Sequence, residues 1–403
     1  FTGIKGQTME ADLRDEVDRR IKGLQKRLAR HGIAGALLVQ SADIVYYTGT
    51  YQNGHLYIPV EGKPVFMVRR DFRRAQVTAA MERVTPLSSY RNIPRIINEQ
   101  GLPWPAEIGL ELDVLPVNVY EQYRNIFPAT RFVDVSPLIR EQRAVKSAYE
   151  ISILEESARL LDAMLAVVPK VAAVGETELA MAGLFEGEAR RLGHQGLVRF
   201  RGMNYDFFMG HLLTGPHAAE PSYFDGPVSG TGIDPTFAFG AGWRRLQENE
   251  PLYVDYGAAY RGYITDATRV FVFGRLDGRL ERAHGVALEI QAALFEAIKP
   301  GAVPAELYEM AVRLARQAGL GDYFQGWSQP ARFIGHGVGL ELNELPVIAS
   351  GVKEPLIAGM VFALEPKFVF PGEGAVGIEN TVVVTENGVR RLTNFPDPVY
   401  KLP

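Results

Sequence analysis

The sequence predicts an α+β protein in two parts, a smaller α/β N-terminal domain over residues 1–142 and a mixed α+β domain over 143–403. Two observations predict it. Before about residue 140 short apolar runs alternate with helical periodicity, as strands joined by helices do. Beyond it, helical segments are interleaved with strand-like runs that can fold back on each other as hairpins, and no βαβ repeat is seen. The length of 403 residues fits two or three domains at ~150 residues each.

In chain order, Leu13, Val17, Ile21, Leu24 and Leu28 recur at helical spacing between charges, which predicts an amphipathic helix over 11–30 that lies on a sheet. Ala36 to Val39, Ile44 to Tyr47 and Val65 to Val68 follow as short strand-like runs separated by polar or glycine-containing turns. Ile151, Leu154, Ala158, Leu161 and Leu165 form one face of a long helix over 146–168, with Arg140 to Lys146 as the junction before it. Helical segments at 176–193, 279–298 and 304–318 alternate with strand runs at 252–256, 263–273, 361–370 and 376–385. Residues 202–245, rich in Gly, Pro, Phe and Tyr without periodicity, read as a functional loop region.

Composition removes several classes of function. The chain has no cysteine, so thiol nucleophiles, iron–sulfur clusters, cysteine-held zinc and disulfides are out. A net charge of −4 gives no basic footprint for nucleic acid. No apolar run approaches the ~20 residues of a membrane span, and FTGIKGQTME lacks the basic-then-apolar pattern of a signal peptide. A cytoplasmic protein is the expectation. There is no G-x-x-x-x-G-K loop, H-E-x-x-H helix or G-x-S-x-G elbow.

The informative anomaly is acid inside apolar strand patterns, where Asp and Glu are depleted. Asp255 lies in Leu252-Tyr-Val-Asp-Tyr-Gly257 and Asp266 in Tyr263-Ile-Thr-Asp-Ala-Thr-Arg-Val-Phe. A hairpin centred between residues 260 and 261 puts the two aspartates directly opposite each other. Direct partners have Cβ atoms ~4.5–5.5 Å apart, and two carboxylates so placed repel and are desolvated together unless a cation lies between them. Near the C-terminus, Glu365 in Val361-Phe-Ala-Leu-Glu-Pro and Glu379 in Val376-Gly-Ile-Glu-Asn-Thr are symmetric about Gly372, within the turn Pro371-Gly-Glu-Gly374. Between the hairpins stands Ile334-Gly-His336-Gly-Val-Gly339, a histidine whose glycines permit close backbone approach. Four carboxylates and an imidazole suit two divalent ions, manganese first, with cobalt, zinc or iron as alternatives. Singly, each residue has a plain structural use: Asp255 in a turn, Asp266 paired with Arg269, Glu379 at an edge, His336 hydrogen-bonded in a core. The joint spacing favours the metal site.

At these residues the sequence resembles the pita-bread metallopeptidase superfamily (M24) of aminopeptidase P, prolidase, methionine aminopeptidase and creatinase. VDYGAAYRGYITDATRVF, IGHGVGLELNELP, ALEP and GIENTVVVTENG resemble its successive metal-site blocks, in order, and the first 142 residues resemble the creatinase/prolidase-type N-terminal domain. The resemblance implies a pita-bread C-terminal domain. It also implies Asp255, Asp266, His336, Glu365 and Glu379 as metal ligands, with Asp266 and Glu379 bridging two ions. It further implies a metal-bridging hydroxide as nucleophile, proton relay by Glu365, cleavage of Xaa-Pro bonds at the N-terminus of small peptides, and a homodimer.

Three positions depart from that pattern. Asn343 stands where prolyl-peptide cleavers carry a histidine, seven residues after the metal-binding one. Ala238 or a neighbour stands where another histidine is usual, and Gly377 where arginine is common. Asn343 can orient a substrate carbonyl but exchanges no proton near neutral pH. His211 and His217, in the 202–245 loop region, are the candidates to compensate, His211 as proton donor and both as substrate contacts. Tyr223, Phe224, Phe237 and Phe239 could line an apolar pocket, although such spacing also suits plain packing. The altered shell equally suits the same fold and metals acting on a small non-peptide molecule, by creatinase-like C–N hydrolysis or a lyase reaction. A non-catalytic binding protein on this fold is the third reading.

Overall fold

The computed structural model describes residues 4–205, 208–221 and 225–403, with side chains from residue 12 on. They form two compact units, one up to Arg143 with Gly202–Asn204, the other Ala144–Arg201 with the remainder from Tyr205.

The first unit is built on a six-stranded sheet of β1 (Gly35–Leu38), β2 (Gly54–Pro59), β3 (Val65–Val68), β4 (Val84–Pro86), β5 (Glu107–Leu110) and β6 (Arg131–Asp134), in the order β4-β3-β2-β1-β5-β6. The β1–β2 and β2–β3 pairs are antiparallel and the others parallel. The first helix, Ile4–Arg30, buries Val17, Ile21, Leu24 and Leu28, the stripe the periodicity predicts. Ile44 to Tyr47 is a correction: it lies in a helix, Ser41–Thr48, and not in a strand. The Gln40 side chain accepts from Asp43 N at its start and Gly49, at φ 72°, ends it. These caps outweigh the β-branched pair Ile44-Val45 in a run too short for periodicity to decide.

The second unit opens with the helix Ala148–Leu165, closed at its start by a reciprocal capping box between Ser147 and Glu150. With the helix Glu178–Leu192 it covers one face of a four-stranded sheet of β7 (Gly210–Thr214), β8 (Leu252–Tyr260), β9 (Tyr263–Phe273) and, at the far edge, the C-terminal strand Tyr400–Leu402. A five-stranded sheet is made from β10 (Phe333–Gly337), β11 (Glu344–Ala349), β12 (Val361–Leu364) and, beyond the two-stranded hairpin β13 (Lys367–Phe370) and β14 (Gly374–Gly377), from β15 (Asn380–Val384) and β16 (Val389–Arg391). The C-terminal strand Tyr400–Leu402 is therefore β17. Helices Gly278–Ala297 and Pro304–Gln317 pack their apolar faces against the core that β10 to β15 contribute. Helices thus lie outside and the strands face inward, the pita-bread arrangement. Among the described residues no helix is long and apolar enough to cross a membrane.

The register of the first acidic hairpin is also corrected. β8 and β9 turn at Arg261-Gly262, both at positive φ (51° and 84°), so Asp255 lies opposite Thr268, and Asp266 opposite Gly257. A two-residue turn of this type needs two left-handed residues, and Gly262 takes the second place readily. The register moves by two residues, so both aspartates stay on one face as diagonal neighbours. The second hairpin has the predicted symmetry: Lys367 pairs with Gly377 and Leu364 with Asn380, both about Gly372. Glu365 and Glu379 sit where the arms pass from one sheet to the other.

Candidate metal centre

Each acidic side chain reaches the site from a different constraint. Asp266 is fixed by Thr381, whose Oγ1 accepts from Asp266 N and donates to Asp266 O, both at 2.8 Å. Glu365 N donates to Ile334 O at 2.8 Å, tying the interruption after β12 to β10. His336 lies on β10 between close backbones: a Cβ at Gly335 would stand 2.5 Å from Ala363 O, and one at Gly337 would collide with Leu345 O. The flanking glycines are therefore steric requirements of the sheet that presents the imidazole.

Ligand atoms of Asp266, His336 and Glu379 lie within 4.8 Å of one another. His336 Nε2 is 3.6 Å from Glu365 Oε1, 3.8 Å from Glu379 Oε1 and 3.9 Å from Asp266 Oδ2. Asp266 Oδ1 and His336 Nδ1 are buried with no hydrogen-bond partner. Burial pushes the Asp266 and Glu379 carboxyls well above their usual range, with repulsion from the neighbouring acids adding to it. Three carboxylates and an imidazole gathered this way, with an orphaned oxygen among them, fit a hard or borderline divalent cation.

The other side of the same cluster is filled by a residue the sequence reading missed. Lys367 Nζ lies 2.7 Å from Glu365 Oε2 and 2.9 Å from both Asp255 Oδ2 and Glu379 Oε2. Burial alone would lower its pKa, but Asp255, Glu365 and Glu379 raise it well above the ordinary lysine value. Burial likewise opposes ionisation of Asp255, and Lys367 overcomes it, holding that carboxyl below the aspartate range. Tyr253 Oη donates to Asp255 Oδ2 at 3.1 Å and Thr268 Oγ1 to Glu379 Oε2 at 2.7 Å. The signal for Lys367 was available: it is a lone cation in the apolar run Phe362 to Phe370, as anomalous there as the acids.

Residues 152–386 match the family model of metallopeptidase family M24, and residues 20–145 match that of the Creatinase/Prolidase N-terminal domain. The chain belongs to metallopeptidase family M24. Among curated relatives, an Xaa-Pro dipeptidase of Pyrococcus furiosus is 27% identical over 93% of this chain and 97% of its own length. A probable dipeptidase PepE of Mycobacterium tuberculosis is 27% identical over 96% of each chain. Among solved structures, an Xaa-Pro dipeptidase from Bacillus anthracis superposes with a TM-score of 0.81 at 24% identity, over 96% of this chain and all of that one. The dipeptidase PepE from Mycobacterium ulcerans gives 0.79 at 25% identity, over 97% and 99%.

In this M24 metallopeptidase the remaining candidates are placed as follows. His211, on β7, pairs directly across from Asp255. It is 3% exposed, its ring meets Phe208 and Phe239 edge-on at 5.4 and 5.1 Å, and burial lowers its pKa to about 4. It is a neutral imidazole beside the cluster. His217 belongs to a separate network, with Nδ1 3.2 Å from Glu178 Oε2, whose carboxylate also accepts from Thr214 and Gly242. Asn343 donates to Arg201 O and accepts from Arg201 N, both at 2.8 Å, so its amide pins the 201 segment. Phe239 is buried beside His211, and Phe237 is exposed; Tyr223 and Phe224 lie outside the described residues. Arg269 makes no pair with Asp266; from the other face of β9 it donates to Glu379 O at 2.8 Å, as well as to Asn380 Oδ1 and Phe395 O.

Proposed function

We propose that this M24 metallopeptidase acts on Xaa-Pro dipeptides or short Xaa-Pro peptides and releases their N-terminal residue. The observation that carries the reading is the convergence of Asp255, Asp266, His336, Glu365 and Glu379 on one buried centre, together with relatives described as Xaa-Pro dipeptidases. Asp266, His336 and Glu379 would hold a divalent ion, manganese first, with Glu365 adjoining. Such an ion supplies Lewis acidity and lowers the pKa of water. Glu365, 3% exposed and facing His336, would take a proton from the attacking water and pass it to the leaving amine. In this reading His211, paired across from Asp255 and kept neutral by burial, would orient substrate as a hydrogen-bonding group. The pair of ions implied by the resemblance would have to share Asp255, Glu365 and Glu379 with Lys367. A cytoplasmic location and a homodimeric state belong to the same proposal, and fractionation and sedimentation measure them.

A second reading, a small non-peptide substrate on the same centre, is favoured by the engagement of Asn343 with backbone. Mass spectrometry of products from manganese- or cobalt-loaded protein, incubated with Xaa-Pro dipeptides, longer Xaa-Pro peptides and non-proline controls, separates the two. Metal-dependent release of the N-terminal residue supports the peptidase, and no cleavage by metal-loaded protein refutes it in favour of the second reading.

A further inference from the structure

We infer that this centre takes one divalent ion, and that the Lys367 ammonium is the permanent second cation, standing on the Asp255 side where another ion would otherwise bind. The inference rests on reading the cluster as a metal site, and it concerns how many ions that site admits.

Glu365 and Glu379 each divide their two oxygens. The Oε2 atoms face Lys367 at 2.7 and 2.9 Å, and the Oε1 atoms face His336 at 3.6 and 3.8 Å. The cluster therefore has two cationic positions sharing the same two carboxylates. One is taken by Nζ, which also binds Asp255 Oδ2. The other is bounded by His336 and Asp266, whose Oδ1 is buried without a partner. A divalent ion on the Asp255 side would need the oxygens that Lys367 already holds, and would stand against its charge.

The lysine is built into this place. It is 1% exposed, and its ammonium lies 5.8 Å from the Tyr253 ring centroid. Its hairpin partner is Gly377, where a Cβ would stand 2.7 Å from Lys367 Cα and 2.9 Å from its Cγ. The space the side chain needs is thus provided by the absence of one across the hairpin. Swinging Nζ away would leave a buried ammonium without its three carboxylates, which is strongly unfavourable.

The test is metal stoichiometry of the full chain, loaded with excess manganese, desalted and measured by elemental analysis, with the ion located by anomalous diffraction. Wild type should retain one ion per chain, giving a single peak among Asp266, His336 and Glu379. Lys367→Gly should retain two, with affinity for the second ion raised at least about a hundredfold. Two ions in wild type, or one in a folded Lys367→Gly variant, would overturn the inference. Should that variant not fold, the wild-type diffraction decides alone: one peak supports the inference and two refute it. Wild type without metal sinks both this inference and the metal-dependent reading, whereas two ions in a protein that cleaves Xaa-Pro peptides sinks this one only.

Discussion

His211 gives a prediction whose size can be worked from the structure. Its imidazole is buried between Phe208 and Phe239, and its pKa falls to about 4 from an ordinary 6.5. Between those values the unfolded chain takes up a proton that the native chain refuses. Stability is therefore lost as pH falls through 6.5, and the loss continues until about 4. With ~1.36 kcal/mol per pKa unit, linkage gives a cost of ~2 kcal/mol at about pH 5 and almost none at about pH 7.5. Replacing His211 by Gln removes the titrating group, while any packing penalty is common to both conditions and cancels in the difference. The assay is guanidinium unfolding of metal-free protein at the two pH values. In a Trp104→Phe background, Trp243 and Trp327 leave fluorescence reporting on the second unit alone. Wild type should lose ~2 kcal/mol more than His211→Gln on acidification. Equal losses would refute the neutral buried imidazole, and with it the orienting role given to His211.

Other outcomes follow from the same geometry. Asp266→Asn should lower manganese affinity and turnover at least about a hundredfold, since even groups behind metal ligands are worth ~10–100-fold; full metal content by elemental analysis would contradict the assignment. Arg269→Met should destabilise the second unit by about 3–5 kcal/mol, because it removes the buried cation paired with Asp397 at 3.1 Å and strips donors from Glu379 O, Asn380 Oδ1 and Phe395 O; denaturant midpoints measure this. Asn343→Ala should cost about 1–3 kcal/mol by removing the two hydrogen bonds its amide makes to the Arg201 backbone, with metal content unchanged; a stability unaltered in denaturant would show the amide free for substrate instead.

The acids were legible in the sequence because charge inside an apolar strand run needs an explanation, and the register bears out the symmetric placement of Glu365 and Glu379 about Gly372. Lys367 stands in the same apolar run, but a lone lysine two residues from Glu365 reads locally as that acid's own partner and not as the centre of three carboxylates. In the first hairpin Arg261-Gly262 sets the turn, two residues out of register from the pairing that would put the aspartates face to face. Parity survives the shift, and with it the shared face. Ile44 to Tyr47 was beyond periodicity altogether, its helix being decided by caps at Gln40 and Gly49. The engagement of Asn343 with Arg201 joins residues 142 positions apart, which no local pattern encodes.

The lysine that joins Asp255 on β8 to the two glutamates flanking the β13–β14 hairpin has a consequence for how the centre survives scarcity. A diffusible ion obeys mass action, so dilution or a chelator removes it and the acids it neutralised are left to repel. A cation carried on the backbone has no dissociation constant. It arrives with the polypeptide, at one copy per chain, and it keeps three of the four carboxylates drawn together whether or not the medium contains metal. The pocket is in this sense assembled before it is supplied.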